Sequence, residues 1–533
     1  MIANARPKSV YGSEGAVVSG HHLATLHAQQ CMAAGGSLVD AMVTASAVLA
    51  VALPHASSLG GCAMMLFFDA KSGRVHALNG SGRAPLAADG ALFADGMPQR
   101  GVRAAVVPTL VRLWARAHER FGRMALNDLL APAIRLAEQG IAAPEELVRN
   151  LALADARVRS QPGFAPFMLP QGRPLAAGQR LVQPRLGAVL RAVASEGEQG
   201  FYAGPAAQSL VRFSQANGGL FAAEDFERAQ ADWVDAWSAP AGAGTVHVMP
   251  PNSVGVLMLQ QLARWECAGR PDDGIDMPAA IQAAIAVIAQ GRRRIGDFER
   301  SGASPSDFGV AAPGNAAPQH LAAFRASRAG VGDTTGFVAM DAQGNALAML
   351  QSVFQPFGSG AVDPGTGILL NNRMFDFSNV PGDVNAVRPG VRPSHTLNPW
   401  LVLDGQGRAC LAGISPGGVS QTTTGYQIAT GALGRSLTLG ELVSRPRWSL
   451  SRDGAVLLEP GMPGHVAQAL RGAGLDVQEN SQHEFYFGSA KVVRRTADGA
   501  IEAAADSRRE ATALAWEPPP SLSLFFCPQE IHA

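Results

Sequence analysis

A threonine at the head of an apolar run is the residue best placed in this chain to do covalent chemistry. It is Thr334, in Gly332-Asp333-Thr334-Thr335-Gly336-Phe337-Val338-Ala339-Met340, directly after a long stretch of small and polar residues. If the Asp333–Thr334 bond is cut, Thr334 carries a free α-amine beside its own hydroxyl. The amine can then act as base for the hydroxyl, so one residue supplies both nucleophile and base. A Thr that merely begins a strand is the other reading of the same residues, and the surroundings have to decide between them.

The elements that must position Thr334 are legible on both sides of it. Residues 337–340 and 346–350 read as two strands joined by the turn Asp341-Ala342-Gln343-Gly344-Asn345. Residues 301–333 are dominated by Ala, Gly, Ser and Pro, have little to bury, and are expected to form a mobile linker. Upstream, a helical pattern runs from His22 to Ala33. A second runs from Leu38 to Leu53, with Ser37 as its cap and Pro54 as its stop. A hairpin follows at residues 64–68 and 74–78, and helical patterns dominate residues 107–193. Further helices are expected at 206–216, 278–294, 422–433 and 439–443, and strands at 400–403 and 409–412. Strands with helices around them predict a layered α+β or α/β architecture.

Composition narrows the partner. The 533 residues are 47% hydrophobic and only 16% charged, with 43 basic residues against 43 acidic ones. A large core is therefore available, and no basic excess points to nucleic acid or an anionic membrane surface. The five cysteines form no CxxC pair, and the histidines show no HxxxH spacing. Neither a disulfide framework, a metal site nor an organic cofactor is expected. No apolar signal segment follows Arg6 and Lys8, and no run is long enough to span a bilayer, so a cytoplasmic protein acting on a small molecule is expected.

Several Gly/Pro clusters around Thr334 stand in a particular order. They include Pro54-His55-Ala56-Ser57-Ser58-Leu59-Gly60-Gly61, Gly218-Gly219-Leu220-Phe221, Gly367-Ile368-Leu369-Leu370-Asn371-Asn372 and Ser415-Pro416-Gly417-Gly418. With these landmarks the chain resembles the γ-glutamyltransferase family of N-terminal nucleophile hydrolases over nearly its whole length. The resemblance implies a four-layer αββα sandwich made as an inactive precursor. The precursor would cut itself into a large subunit, residues 1–333, and a small subunit, residues 334–533, which stay together as a heterodimer. Thr334 would be nucleophile and base, Ser352 would stand where the family has a Thr hydroxyl touching the nucleophile, and Gly417 and Gly418 would donate backbone N–H groups to an oxyanion. Taken alone, the glycine pair reads first as a plain turn; the oxyanion role comes from its register with the family.

The family's substrate contacts are altered. Its Arg five residues after an Ala-Pro, here Ala84-Pro85, is Gly90, with Asp89 before it. Its Asn after the Ser352 position is Phe354, its Gln or Glu after Asn371-Asn372 is Arg373, and the first acid of its Asp pair is Phe375, while Asp376 is kept. Its Ser pair is His395-Thr396. Loss of a bidentate guanidinium at Gly90 removes one of the stronger contacts a carboxylate can have. Arg373 and His395, with Asp376, Thr396 and Phe354 around them, are expected to bind a smaller acid amide, oxamate-like, cleaved through an acyl-threonine ester. A γ-glutamyl amide such as glutathione is the alternative substrate, a cephalosporin-type acylase the second alternative, and an uncleaved binding protein the third.

Overall fold

The run that begins at Thr334 is a strand with both faces covered. The computed structural model describes residues 8–169, 172–270, 277–291, 294–298, 303–310, 332–434, 437–451, 454–481 and 487–518. The strand Asp333–Asp341 and its partner Ala346–Phe354 are buried at every position. They form the centre of a seven-stranded antiparallel sheet in the order 512–516, 15–19, 333–341, 346–354, 62–69, 74–80, 232–234. A second seven-stranded antiparallel sheet runs 10–12, 501–505, 491–495, 409–414, 400–403, 244–248, 237–241.

Side-chain alternation sorts the apolar residues of each strand into two sets. In the first sheet Val338, Met340, Ala348 and Leu350 face Leu401, Ala412, Val493 and Ala503 of the second, forming the layer between the sheets. Phe337, Ala339, Leu347 and Met349 point the other way, onto a helical layer that includes Leu38–Ala52 and Leu110–Phe121. The outer face of the second sheet, with Val402, Leu411 and Val492, is covered by the helices Gly255–Cys267, Met277–Gly291 and Ser420–Gly434. The result is the four-layer αββα sandwich. Each fully buried Leu, Met or Phe in it contributes about 1.5–3 kcal/mol of transfer free energy.

The helix Leu38–Ala52 has no exposed residue, which explains its apolar run without a membrane. Ser37 caps it through a capping box with Asp40, as the sequence predicts. Among the described residues, no helix is long and apolar enough to cross a membrane. Cys31, Cys62, Cys267 and Cys410 are free thiols, and Cys527 lies outside the described residues.

The expected linker needs correction at one end. Residues 303–310 are packed: the Phe308 ring is buried, 5.5 Å from Trp237 and 5.8 Å from Phe298 between centroids. One aromatic anchor outweighs the flexible composition around it. Residues 301–302 and 311–331 of that linker lie outside the described residues.

Candidate active site

The hairpin that carries Thr334 is set by its turn. Asp341 Oδ1 accepts the Asn345 N–H at 2.9 Å, and Gly344 takes φ +93°. The register then pairs Asp333 with Phe354 and Thr335 with Gln351, so Thr334 alone opposes Ser352 and Val353. This bulge turns both hydroxyls to one point. Thr334 Oγ1 donates to Ser352 Oγ at 3.0 Å and lies 2.7 Å from the Asp333 carbonyl oxygen. Ser352 Oγ donates to that same carbonyl at 2.7 Å. A proton leaving Thr334 thus has an acceptor, and the carbonyl beside it has a donor. Phe354 takes φ +85°, a strained backbone for a residue with a side chain, and its N–H donates to Ser352 Oγ at 2.8 Å.

The glycine pair reaches the same place from the second sheet. Gly417 and Gly418 have φ +129° and +61°, a conformation that side chains resist. A Cβ added at Gly332 would stand 3.1 Å from Gly418 Cα, so the chain entering the strand of Thr334 passes directly over Gly418. The Ser420 and Gln421 N–H groups donate to the Gly417 and Gly418 carbonyls, starting the helix Ser420–Gly434. Its N-terminal partial positive charge lies on the side of the glycines.

Sequence reasoning missed a third group. Asp333 is 1% exposed, and its Oδ1 accepts hydrogen bonds from Arg509 Nη1 and, at 3.0 Å, from the Thr334 N–H. His55 Nε2 lies 3.7 Å from Asp333 Oδ2 and 3.8 Å from Glu146 Oε1. Glu146 in turn accepts the Glu510 N–H at 3.0 Å and lies 3.9 Å from Arg509. Against the cost of burial, the neighbouring His55, then the charges of Arg509 and Lys491, hold the Glu146 carboxyl below the usual carboxylate range. Burial lowers the Lys491 ammonium to about 8. His55, Glu146 and Asp333 place one donor atom each within 4.8 Å, a spacing a metal ion could use. Arg509 already meets both carboxylates, so the group is charge-compensated by side chains alone. His55 and Asp333 each stood in a sequence landmark, but no short motif joins residues 55, 146, 333 and 509.

Of the residues that replace the family's substrate contacts, Arg373, Phe354 and Thr396 converge. Arg373 and Asp376 lie on the turn Arg373–Asp376, with Arg373 Nη1 3.7 Å from Asp376 Oδ2. The guanidinium stacks 4.0 Å over the Phe354 ring, and Nη1 donates to Thr396 Oγ1 at 3.3 Å. His395, expected with Arg373 to bind the substrate acid, is fully buried. Burial first, then Arg373 and Arg392, push its pKa well below the usual imidazole value. The Leu397 N–H donates to Nδ1 at 3.3 Å, which assigns the proton to Nε2, and Nε2 has no hydrogen-bond partner. His395 is therefore a neutral donor. Gly90 opens the short turn Gly90–Phe93, where the Asp89 carboxylate accepts the Ala91 N–H at 3.0 Å.

Comparison with known proteins accords with this geometry. The profile of the family described as gamma-glutamyltranspeptidase matches residues 24–516. The chain is 31% identical to the oxamate amidohydrolase proenzyme of Klebsiella pneumoniae, over 95% of this chain and 99% of that one. It is 29% identical, with the same coverage, to the glutathione hydrolase-like YwrD proenzyme of Bacillus subtilis (strain 168). Among solved structures, the cephalosporin acylase from Bacillus halodurans superposes with a TM-score of 0.86 at 26% identity, covering 97% of this chain and 99% of that one.

Proposed function

Because this chain belongs to the gamma-glutamyltranspeptidase family of enzymes, we propose that it cuts itself at Asp333–Thr334 and then cleaves the amide of a small organic acid through an acyl-Thr334 ester. The observation that carries this reading is the meeting of three groups: Thr334 Oγ1, Ser352 Oγ and the Asp333 carbonyl lie within 3.0 Å of one another. In the uncut chain Asp333 covers the hydroxyl, and Thr334 is 4% exposed. Cutting uncovers Thr334 and frees its α-amine. Thr334 then attacks a substrate amide carbon, the amine passes the hydroxyl proton to the leaving nitrogen, and water opens the ester. Gly417 and Gly418 are assigned the oxyanion of each tetrahedral step.

A small acid fits the altered contacts. The Arg373 guanidinium supplies the charge for a carboxylate, His395 Nε2 a neutral hydrogen bond, and the Phe354 ring a wall beside them. The relative named oxamate amidohydrolase supports this choice. A γ-glutamyl amide is the second reading, favoured by Asp376, a carboxylate beside Arg373 that can receive a substrate amine.

Purified protein is expected to run on a denaturing gel as two fragments of about 35 and 21 kDa, the division of 55.3 kDa at residue 333, and Thr334→Ala as one band. Ammonia release from oxamate and other small acid amides, set against release from a γ-glutamyl anilide, then separates the two substrates. An uncut wild-type chain with no turnover of either sinks the proposal.

A further inference from the structure

We propose that His55, Glu146 and Arg509 form a clamp on the Asp333 carboxylate that holds the Asp333 carbonyl against Thr334 and so sets the rate of self-cleavage. The clamp rests on the reading of Thr334 as the self-cleaving nucleophile. Its parts come from separate elements: His55 from the turn after the helix Leu38–Ala52, Glu146 from the first turn of the helix Glu145–Leu153, and Arg509 from the approach to the strand Thr512–Trp516. Together with Asp333 they are 0%, 7%, 6% and 1% exposed. An Asp that only ended a linker would sit in water, whereas burying four ionisable groups together is costly unless each compensates another.

The compensation is directed at one side chain. Asp333 Oδ1 is tied to Arg509 and to the Thr334 N–H, while Oδ2 faces His55 Nε2 at 3.7 Å and makes no hydrogen bond. Both ring nitrogens of His55 are likewise without a hydrogen-bond partner. Glu146 stands behind His55, at 3.8 Å. Holding Asp333 from two directions restrains rotation of its carbonyl, and misplacing a reacting group by about 1 Å can cost on the order of 100-fold in rate.

The same charges favour release. Thr334 Oγ1 bonds to the Asp333 carbonyl carbon, the C–N bond breaks, and the hydroxyl proton ends on the nitrogen as an amine. Water then adds to the ester, the Oγ1–C bond breaks, the hydroxyl is restored, and Asp333 ends in an α-carboxylic acid that ionises. Two carboxylates of Asp333 now stand beside that of Glu146, with Arg509 shared among them, and repulsion drives the new end away.

The test follows cleavage over time by denaturing gel for Asp333→Asn, His55→Gln, Arg509→Met, Arg509→Lys and the Asp333→Asn/Arg509→Met pair. Asp333→Asn, which keeps shape and removes charge, is expected to slow cleavage about tenfold, and Arg509→Met and His55→Gln at least as much. Arg509→Lys should recover most of the loss. The paired variant should cleave no more slowly than the slower single one, because both substitutions break one contact. Each substitution is repeated in the Thr334→Ala background, whose unfolding transition reports whether the chain still folds. Wild-type cleavage rates in Asp333→Asn and His55→Gln, or losses that multiply in the pair, overturn the clamp. Fragments from Thr334→Ala itself would instead overturn the underlying nucleophile reading.

Discussion

Thr334 stands out in the sequence as the head of an apolar run, and Ser352 and the glycine pair through the family resemblance; each lies in a short stretch whose local conformation decides its position. The bulge opposite Ser352 needs only the hairpin, and the glycines only a turn before a helix. The clamp was not legible, since four residues scattered between positions 55 and 509 meet only after both sheets have formed. His395 was singled out through the same resemblance, while its charge was not legible, because burial among Arg373 and Arg392 decides it. A prediction follows from that charge. An imidazolium gripping a carboxylate would lose its grip as pH rises through about 6.5. With its pKa held well below that value, His395 stays neutral, so KM for a small acid amide should be flat from about pH 5.5 to 7.5. A clear rise of KM across that interval would contradict the neutral assignment. Arg373→Met should raise the same KM by about ten- to a hundredfold, the loss of a charge-assisted contact of roughly 1.5–3 kcal/mol; an unchanged KM would remove Arg373 from the site.

At the scale of elements, apolar periodicity located the hairpin that begins at Asp333, the hairpin Cys62–Asp69 with Arg74–Gly80 and the buried helix Leu38–Ala52 within a few residues. Edge strands such as Val10–Gly12 escaped because three residues carry no period. The packed segment 303–310 escaped because its anchor is a single Phe. What composition cannot display is how helix and hairpin are fastened. Ser46, from the helix, accepts the Trp114 indole N–H at 2.7 Å and donates to Gln351 Oε1, one residue before Ser352. Gln351 Nε2 donates to the Ser46 carbonyl at 3.1 Å. Ser46→Ala leaves a buried indole N–H and an amide oxygen unpaired, which should lower stability by about 2 kcal/mol. Urea unfolding of the Thr334→Ala chain measures it, and a change below about 0.5 kcal/mol would show that the fastening carries little of the load.

For the molecule as a whole, the order of strands in each sheet carries a consequence for the chain's history. Read outward from the strand Asp333–Asp341, the first two neighbours on each side come from before and after residue 333: 15–19 then 512–516 on one side, 346–354 then 62–69 on the other. The second sheet mixes both parts as well, with 10–12 beside 501–505 and 244–248 beside 400–403. Cut at Asp333–Thr334 as proposed, the two fragments share both sheets and the helical layer outside the second, and cannot part without unfolding. Before the cut, the strands search for one another within one chain; afterwards the same search is an encounter between two solutes. Recovery from guanidinium should therefore be independent of concentration for Thr334→Ala, while the cut form should lose yield on tenfold dilution, and equal yields for both would refute this. Self-cleavage would thus erase the connection that made folding unimolecular. Each active molecule would be a single-use product of its own assembly, replaceable by new synthesis but poorly recoverable once melted.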